Sequence, residues 1–306
     1  MTLTLTSNRS ATDGSVAAAP PTRRRAATTR RRAALVALVL VWAVCSAAYA
    51  KPTMQTAKRD DAAEVPLPAG ATWIVAQTDA VPPTVMRAIV IAPPSSPVRA
   101  RHLIVLLHGL GGDAHGWFTT TEVVQRLHAS MRCGELPPSV ILLPSGGVSY
   151  WADWADGHHA YASAVMVLVT AVSARRGLDA SPEAGAIIGA SMGGFGALSI
   201  GLQHPERFGT IIALSPTDLE IAVTDAPKRT VYLNVLGSPV SAAQLARINP
   251  RHLVARGCGT NQQLVLGWGD AEARKFAEGG QRLAKAARAA GIALRTRIVV
   301  GGRHGW

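Results

Sequence analysis

The 306-residue sequence contains only three cysteines, and no spacing of its Cys and His residues is typical of a zinc site. Its glycine-rich segment around Gly111 lacks the Lys and Ser/Thr that complete a phosphate-binding P-loop. The sequence also lacks an internal repeat. These absences argue against metal-binding modules, P-loop nucleotide binding and repeat architectures. We therefore expect no metal and no cofactor.

Acidic residues are scarce as well, with 19 Asp and Glu against 31 Lys and Arg and a net charge of +12. Such a balance can indicate nucleic-acid binding, so the location of the charge matters. Half of the net charge lies in residues 1–50, which hold seven arginines and one acid. The rest is spread along the chain without a basic stripe interleaved with aromatic residues. The charge pattern therefore predicts no nucleic-acid partner.

Residues 1–50 have the organisation of an export signal. Arg30 to Arg32 precede an uninterrupted apolar run that ends in Ala48-Tyr49-Ala50. We expect cleavage after Ala50 and a periplasmic or secreted protein. The alternative is an uncleaved anchor in the inner membrane, since about 18 apolar residues is the lower limit for a spanning helix. After cleavage Cys133 and Cys258 remain, as one disulfide or as two separate buried thiols.

The remaining chain reads as a linker, 51–72, followed by one domain, 73–306. Within the domain, short apolar runs alternate with longer segments, which predicts an α/β protein with parallel strands joined by helices. The predicted strands are Trp73 to Ala76, Val85 to Ile91, Leu103 to Leu107, Val140 to Leu143, Ala186 to Gly189, Thr210 to Leu214, Gln263 to Leu266 and Leu294 to Val300. The predicted helices are Glu122 to Met131, Ala160 to Arg175, Met192 to His204 and Ala271 to Ala290. Asp218 to Arg256 fits neither pattern, and we expect an irregular insertion near the functional site.

Ser191 is the predicted nucleophile. It lies in Gly189-Ala190-Ser191-Met192-Gly193, a match to G-x-S-x-G that is weak alone in a chain this rich in glycine and serine. The context strengthens it, because an apolar strand leads in and a helix of small residues leads out. A strained turn of this kind exposes the serine hydroxyl at the start of a helix.

A serine nucleophile requires a base and a group that orients the base. His304 follows the last predicted strand and is the predicted base, whereas His204 and His252 are expected to be structural or at the surface. For the acid we choose Asp270, at the end of a predicted strand. Asp218, Asp225 and the nearby Glu272 are competitors.

Acyl transfer also requires hydrogen-bond donors for the developing oxyanion. We expect the backbone N–H of Met192, directly after the nucleophile, to be one. The second is expected to be the N–H of Leu110, in the loop His108-Gly109-Leu110-Gly111-Gly112 that follows a strand. His108 itself is expected to be structural.

Several segments together resemble the putative esterase family, which includes S-formylglutathione hydrolases (esterase D) and mycolyltransferases. They are Leu107 to Gly112, Tyr150-Trp151-Ala152-Asp153-Trp154, Gly189 to Ala197, His204-Pro205-Glu206-Arg207-Phe208, Gly269-Asp270 and Gly302-Arg303-His304-Gly305-Trp306. The resemblance covers residues 85 to 306. It implies an α/β-hydrolase fold with a mostly parallel eight-stranded sheet flanked by helices.

The resemblance implies a serine esterase that uses Ser191, Asp270 and His304, with the Leu110 and Met192 amides as the oxyanion hole. Trp151 is expected to line the substrate pocket, with core packing as its alternative. The substrate would be a small-molecule, lipid or sugar ester. Two other functions stay open: acyl transfer to a sugar or lipid alcohol, and non-catalytic binding in the cell envelope.

Two features depart from this family. S-formylglutathione hydrolases of the cytosol have no export leader, which puts that substrate in doubt. The family's chain usually continues beyond its His-x-Trp, whereas this sequence ends at Trp306. We expect Trp306 to be partly buried and to orient His304.

Overall fold

The centre of the protein is one eight-stranded sheet. The computed structural model describes residues 65–80, 82–94, 99–226 and 229–305, so the predicted leader, its cleavage site and Trp306 lie outside the described residues. All predicted strands are present, and the first begins two residues before the expected Trp73. The strands are β1 (Ala71–Gln77), β2 (Val85–Ile91), β3 (His102–Leu107), β4 (Ser139–Pro144), β5 (Gly185–Ala190), β6 (Thr210–Leu214), β7 (Gln263–Gly269) and β8 (Ala293–Val299).

The strand order is β1-β2-β4-β3-β5-β6-β7-β8. β2 pairs antiparallel with β1 and with β4, and the pairs from β4 through β3 to β8 are parallel. This confirms the predicted mostly parallel sheet of an α/β-hydrolase. Because parallel strands end at the same edge of a sheet, the loops that follow β3 to β8 gather there.

Helices cover both faces of the sheet. The four long predicted helices are present, and the short α1 was not predicted. The helices are α1 (Gly116–Thr119), α2 (Val123–Arg132), α3 (Tyr161–Arg176), α4 (Met192–Gln203), α5 (Leu219–Asp225), α6 (Thr230–Leu236), α7 (Ala242–Ile248), α8 (Pro250–Ala255) and α9 (Arg274–Ala289).

The sheet separates two apolar cores. Leu103, Val105 and Leu107 of β3 belong to one core, and Ile104 and Leu106 belong to the other. Successive side chains of a strand point to opposite faces, which explains this division. Side chains from α3, α4 and α9 complete the first core, and side chains from α1 and α2 complete the second. With both faces covered, the central strands are continuous apolar runs rather than alternating ones.

The expectation of an irregular insertion from Asp218 to Arg256 is wrong, because this segment folds into the four helices α5 to α8. Three of these helices begin at a side chain that accepts a backbone N–H: Asp218, Ser241 and Asn249. Such N-caps stabilise a helix start. Each helix has only six or seven residues, which is too short to show an apolar period in the sequence.

Cys133 and Cys258 are both free, so they form no disulfide with each other. Cys133 is exposed and Cys258 is partly buried, which also corrects the alternative of two buried thiols. Within the described ranges, no helix is both long and apolar enough to cross a membrane.

Candidate active site

Ser191 occupies the turn between β5 and α4, with φ 57° and ψ −118°. A non-glycine residue rarely adopts a positive φ, so the surrounding structure must hold this conformation. The Ser191 N–H donates to the carbonyl of Leu214 at 2.8 Å. The turn also requires close backbone approach, since a Cβ on Gly193 would overlap the carbonyl oxygen of Leu107. The predicted strand, strained turn and helix are therefore present.

His304 lies beside this serine. Its Nε2 is 2.9 Å from Ser191 Oγ, which is hydrogen-bond distance. The imidazole stacks on the ring of Phe276, with the ring centroids 3.9 Å apart and the planes 10° apart. To accept the serine proton, Nε2 must be unprotonated. A neutral His304 ring in this role therefore carries its proton on Nδ1. The two residues predicted as nucleophile and base are thus in contact.

Glu272 is the acid that faces the imidazole. Its Oε2 lies 3.7 Å from His304 Nδ1, and its side chain is 0% exposed. Its other oxygen, Oε1, accepts a 2.6 Å hydrogen bond from the hydroxyl of Ser215. The distance to Nδ1 is longer than a hydrogen bond, as is common before substrate binds. Among the described residues, Glu272 is the only carboxylate within ion-pair distance of His304.

Asp270, the predicted acid, has a different position. Its Oδ1 accepts the backbone N–H of Gly301 at 2.6 Å, and its own N–H donates to the carbonyl of Val299 at 3.2 Å. The carboxylate is thereby bound to the segment that leads from β8 to His304. Its short side chain is satisfied there, whereas the longer side chain of Glu272 reaches the imidazole. The structure places Glu272, not Asp270, against the predicted base.

The other two candidate acids lie in structural contacts. Asp218 is buried, caps α5 and accepts a hydrogen bond from the Asn249 side chain at 3.2 Å. Asp225 is paired with Arg274 at 2.9 Å. Neither is brought to the imidazole.

The other histidines also have partners away from Ser191. His204 contacts Glu206 at 3.0 Å, and His252 lies 3.6 Å from Glu220. This agrees with the structural or surface role expected for both.

The loop expected to supply an oxyanion donor runs against the nucleophile. A Cβ on Gly109 would lie 3.5 Å from Ser191 Cβ, and the next residue in the loop is Leu110. Met192 is the first residue of α4, where a backbone N–H has no acceptor inside the helix. Neither the Leu110 nor the Met192 N–H donates to another described residue. Neither predicted donor is therefore engaged by a described backbone acceptor, and their role as an oxyanion hole stays a prediction.

His108 connects two loops and is 4% exposed. Its Nε2 accepts the N–H of Gly146 at 3.0 Å, and its Nδ1 lies 2.8 Å from the Gly109 carbonyl oxygen. These two contacts fix a neutral ring with the proton on Nδ1. Burial lowers the pKa of His108, which also favours the neutral ring. The structural role expected for His108 fits these contacts.

Trp151 does not line an open pocket, contrary to expectation. Its side chain is fully buried, and its indole N–H donates to the carbonyl of His108 at 3.0 Å. The ring packs so closely on Gly146 and Gly196 that a Cβ at either glycine would overlap it. Trp151 therefore fixes the loop after β4 to the loop after β3, and the alternative of core packing applies.

Ser215 and Phe276 are site residues that the sequence did not single out. Ser215 directly follows β6, has a φ of 43° and is completely buried. The sequence feature that could have indicated Ser215 is a serine before a proline at the carboxyl end of a predicted strand. Phe276 is the third residue of α9, and Glu272 lies in the loop just before this helix, so both reach His304 from the β7–α9 connection.

The model of the "Putative esterase" family matches residues 80–305 of the chain. No curated protein matches the sequence.

Several solved structures have a similar fold. The fluorophosphonate-binding serine hydrolase F of Staphylococcus aureus is 17% identical, with a TM-score of 0.60 over 76% of this chain and 92% of that one. An S-formylglutathione hydrolase of Agrobacterium tumefaciens is 20% identical, with a TM-score of 0.60 over 76% and 88%. MPT51 (FbpC1) of Mycobacterium tuberculosis is 16% identical, with a TM-score of 0.58 over 72% and 87%.

Proposed function

Because the chain belongs to the putative esterase family and is a serine esterase, we propose that it hydrolyses carboxylic esters through an acyl-enzyme on Ser191. The observation that carries this proposal is the 2.9 Å contact between Ser191 Oγ and His304 Nε2 at the strained turn after β5. That contact gives a weak nucleophile the base it needs.

In the first half of the reaction, His304 Nε2 takes the proton of Ser191 Oγ as this oxygen attacks the ester carbonyl carbon. The N–H groups of Met192 and Leu110 donate to the oxyanion that forms. The carbon–oxygen bond to the alcohol then breaks, and the leaving alkoxide takes the proton from His304. The products of this half are the free alcohol and an acyl ester on Ser191.

Glu272 has the position required of the third triad member. A buried carboxylate next to Nδ1 favours the imidazolium that exists while His304 holds the serine proton. Ser215 fixes one oxygen of this carboxylate and leaves the other towards the imidazole. Asp270 is proposed to position His304 indirectly, because it holds the N–H of Gly301.

In the second half, His304 takes a proton from water, and the resulting hydroxide attacks the acyl carbon. The same two amides stabilise the second oxyanion, and Ser191 recovers its proton from His304 as the carboxylic acid leaves. A sugar or lipid alcohol in place of water would give acyl transfer by the same steps.

We propose a small-molecule, lipid or sugar ester as substrate and no nucleic-acid partner. The protein is proposed to act in the periplasm or outside the cell after removal of residues 1–50. Contact with the membrane would be limited to that segment if it is not removed. N-terminal sequencing of protein from a secreting host should give Lys51 as the first residue. A membrane-bound product that retains Met1 would instead support the anchor.

The proposed function is tested with a series of p-nitrophenyl esters of increasing acyl length, with and without added alcohols and sugars. The wild type should release p-nitrophenol and be labelled by a fluorophosphonate, and Ser191→Ala should lose both by about 10⁴-fold or more. Ser199→Ala, which changes a buried serine on α4, the helix that follows Ser191, is the matched control. Activity of Ser191→Ala above a tenth of wild type would exclude the acyl-enzyme.

A further inference from the structure

Four polar side chains meet beside the active site and have no task in the reaction described above. They are Tyr150, Thr217, Tyr232 and Lys275. Tyr150 follows β4, Thr217 follows β6, Tyr232 belongs to α6, and Lys275 is the second residue of α9. Tyr150, Thr217 and Tyr232 are each at most 2% exposed, and Lys275 is partly exposed. The group therefore has one side open to solvent, at the lysine.

The acceptors in this cluster are hydroxyl oxygens only, and the hydrogen bonds between its side chains are long. The Tyr150 hydroxyl donates to the Tyr232 hydroxyl at 3.4 Å, and Lys275 Nζ donates to the same oxygen at 3.3 Å. Both distances are longer than usual for such groups. The buried Thr217 hydroxyl lies close enough to the Tyr150 phenol to offset part of the rise that burial causes in its pKa, but it makes no hydrogen bond of good geometry with a described residue. No described carbonyl or carboxylate oxygen accepts from any of the four side chains.

The charge of the cluster is also uncompensated. Among the described residues, no carboxylate lies within ion-pair distance of Lys275 or of Arg229, whose guanidinium lies 5.5 Å from the Tyr232 ring centroid. The adjacent Arg274, by contrast, is paired with two acids. Burial raises the pKa of Tyr150, so its phenol keeps its proton and remains a donor. Buried donors are normally matched by acceptors, so an acceptor is missing here.

The cluster adjoins the reacting groups on two sides. Lys275 Nζ lies 5.0 Å from the centroid of the Phe276 ring, and this ring stacks on His304. The Tyr150 ring is 5.9 Å from the ring of Phe195, which is one helical turn after Ser191. One aromatic ring thus separates the lysine from the proposed base.

We propose that this cluster is a subsite for a carboxylate carried by the ester substrate. The inference rests on the proposed function and narrows its substrate class to anionic esters. A carboxylate brings acceptor oxygens for the hydroxyls of this cluster and a negative charge for Lys275, whose Nζ otherwise donates only to the Tyr232 hydroxyl. Hydrogen bonds between an ammonium and a carboxylate in a partly buried site are among the stronger ones in proteins. The anionic group would lie on the acyl or the alcohol side of the scissile bond. One pair of test esters for each side distinguishes these two positions.

The test compares kcat/KM for matched pairs of esters. On the acyl side, mono-p-nitrophenyl glutarate is compared with its methyl ester. On the alcohol side, 4-(carboxymethyl)phenyl acetate is compared with 4-methylphenyl acetate. In one of the two pairs the wild type should favour the carboxylate by about tenfold or more, the size of one charge-assisted hydrogen bond. Lack of preference in both pairs would overturn the subsite.

Variants then assign the preference to the cluster. Lys275→Met should reduce the ratio of the two kcat/KM values by about tenfold, Thr217→Val should reduce it less, and Lys275→Arg should retain part of it. Lys285→Met removes the same charge from an exposed position of the same helix and should leave the ratio unchanged. An unchanged ratio in Lys275→Met would contradict the proposal. If the wild type hydrolyses neither member of any pair, the proposed function fails instead.

Discussion

At the scale of single residues, the sequence and the structure differ most over the acid: the sequence predicts Asp270, and the structure has Glu272 beside His304. Glu272→Gln should lower kcat by about 10³-fold or more, because the neutral amide cannot stabilise the imidazolium. Asp270→Asn should cost much less, since the amide oxygen can still accept the N–H of Gly301. Steady-state kinetics on p-nitrophenyl acetate measure both, and Glu278→Gln on the exposed side of α9 is the control. A larger loss in Asp270→Asn would restore that residue as the acid.

Ser215 should act on the reaction only through Glu272. Ser215→Ala removes the 2.6 Å hydrogen bond to Oε1 and should lower kcat by about tenfold with little change in KM. Ser215→Cys keeps a weak donor on a side chain of similar size and should recover part of the loss. In a Glu272→Gln background, Ser215→Ala should have little further effect, because interacting residues are not additive. Fully additive losses in this double-mutant cycle would show that Ser215 has a separate role.

Ser191 could be predicted from the sequence because a strand, a turn of small residues and a helix surround it. His304 could be predicted because it follows the last strand. The choice between Asp270 and Glu272 had no such pattern. Two acids in one loop are distinguished by which partner each can reach, and those partners, Gly301 and Ser215, are remote in sequence. Trp151 was misplaced for a related reason, since the motif does not say which side of the loop is buried.

At the scale of elements, the first turn of α9 supports the imidazole. Phe276 is 6% exposed and stacks on His304. Phe276→Ala should lower kcat by about 10- to 100-fold, more than it raises KM, because a shift of about 1 Å in a catalytic group can cost 10²-fold. Kinetics and urea unfolding are measured together on this variant.

Leu283→Ala is the matched control for that measurement, because Leu283 is buried on the same helix in the core. It should lose about 2–5 kcal/mol of stability and keep its kcat. If Phe276→Ala and Leu283→Ala lower kcat by the same factor, the Phe276 ring contributes only to stability.

The long elements could be predicted because each carries enough residues for its pattern to show. Central strands such as β3 and β6 are uninterrupted apolar runs, and α9 buries one face. The helices from α5 to α8 could not be predicted by period, since each has about two turns. Their caps were the usable signal, notably Asn249 followed by Pro250 at the first helical position.

At the scale of the whole molecule, several histidines connect stability to pH. Burial lowers the pKa values of His108, His102 and His128. The unfolded chain, where a histidine has a pKa of about 6.5, therefore binds protons that the folded protein does not bind. Their stabilising contribution is complete above that value and is lost as the pH falls below it. Asp179 and Glu278, whose pKa values are lowered by hydrogen bonds from arginines, affect stability only at more acidic pH.

The free energy of unfolding should accordingly fall as the pH is lowered from about 7 to about 5, by at most about 1.4 kcal/mol per pH unit for each such histidine. Urea unfolding at a series of pH values measures this slope. His108→Gln should be less stable at every pH, because it disrupts the contacts with Gly146 and Gly109, but its slope should be shallower. His158→Gln, which changes an exposed histidine, is the control and should keep the wild-type slope. A His108→Gln slope as steep as that of the wild type would mean that His108 takes up no proton on unfolding, and that its place between the two loops does not make the fold sensitive to acid.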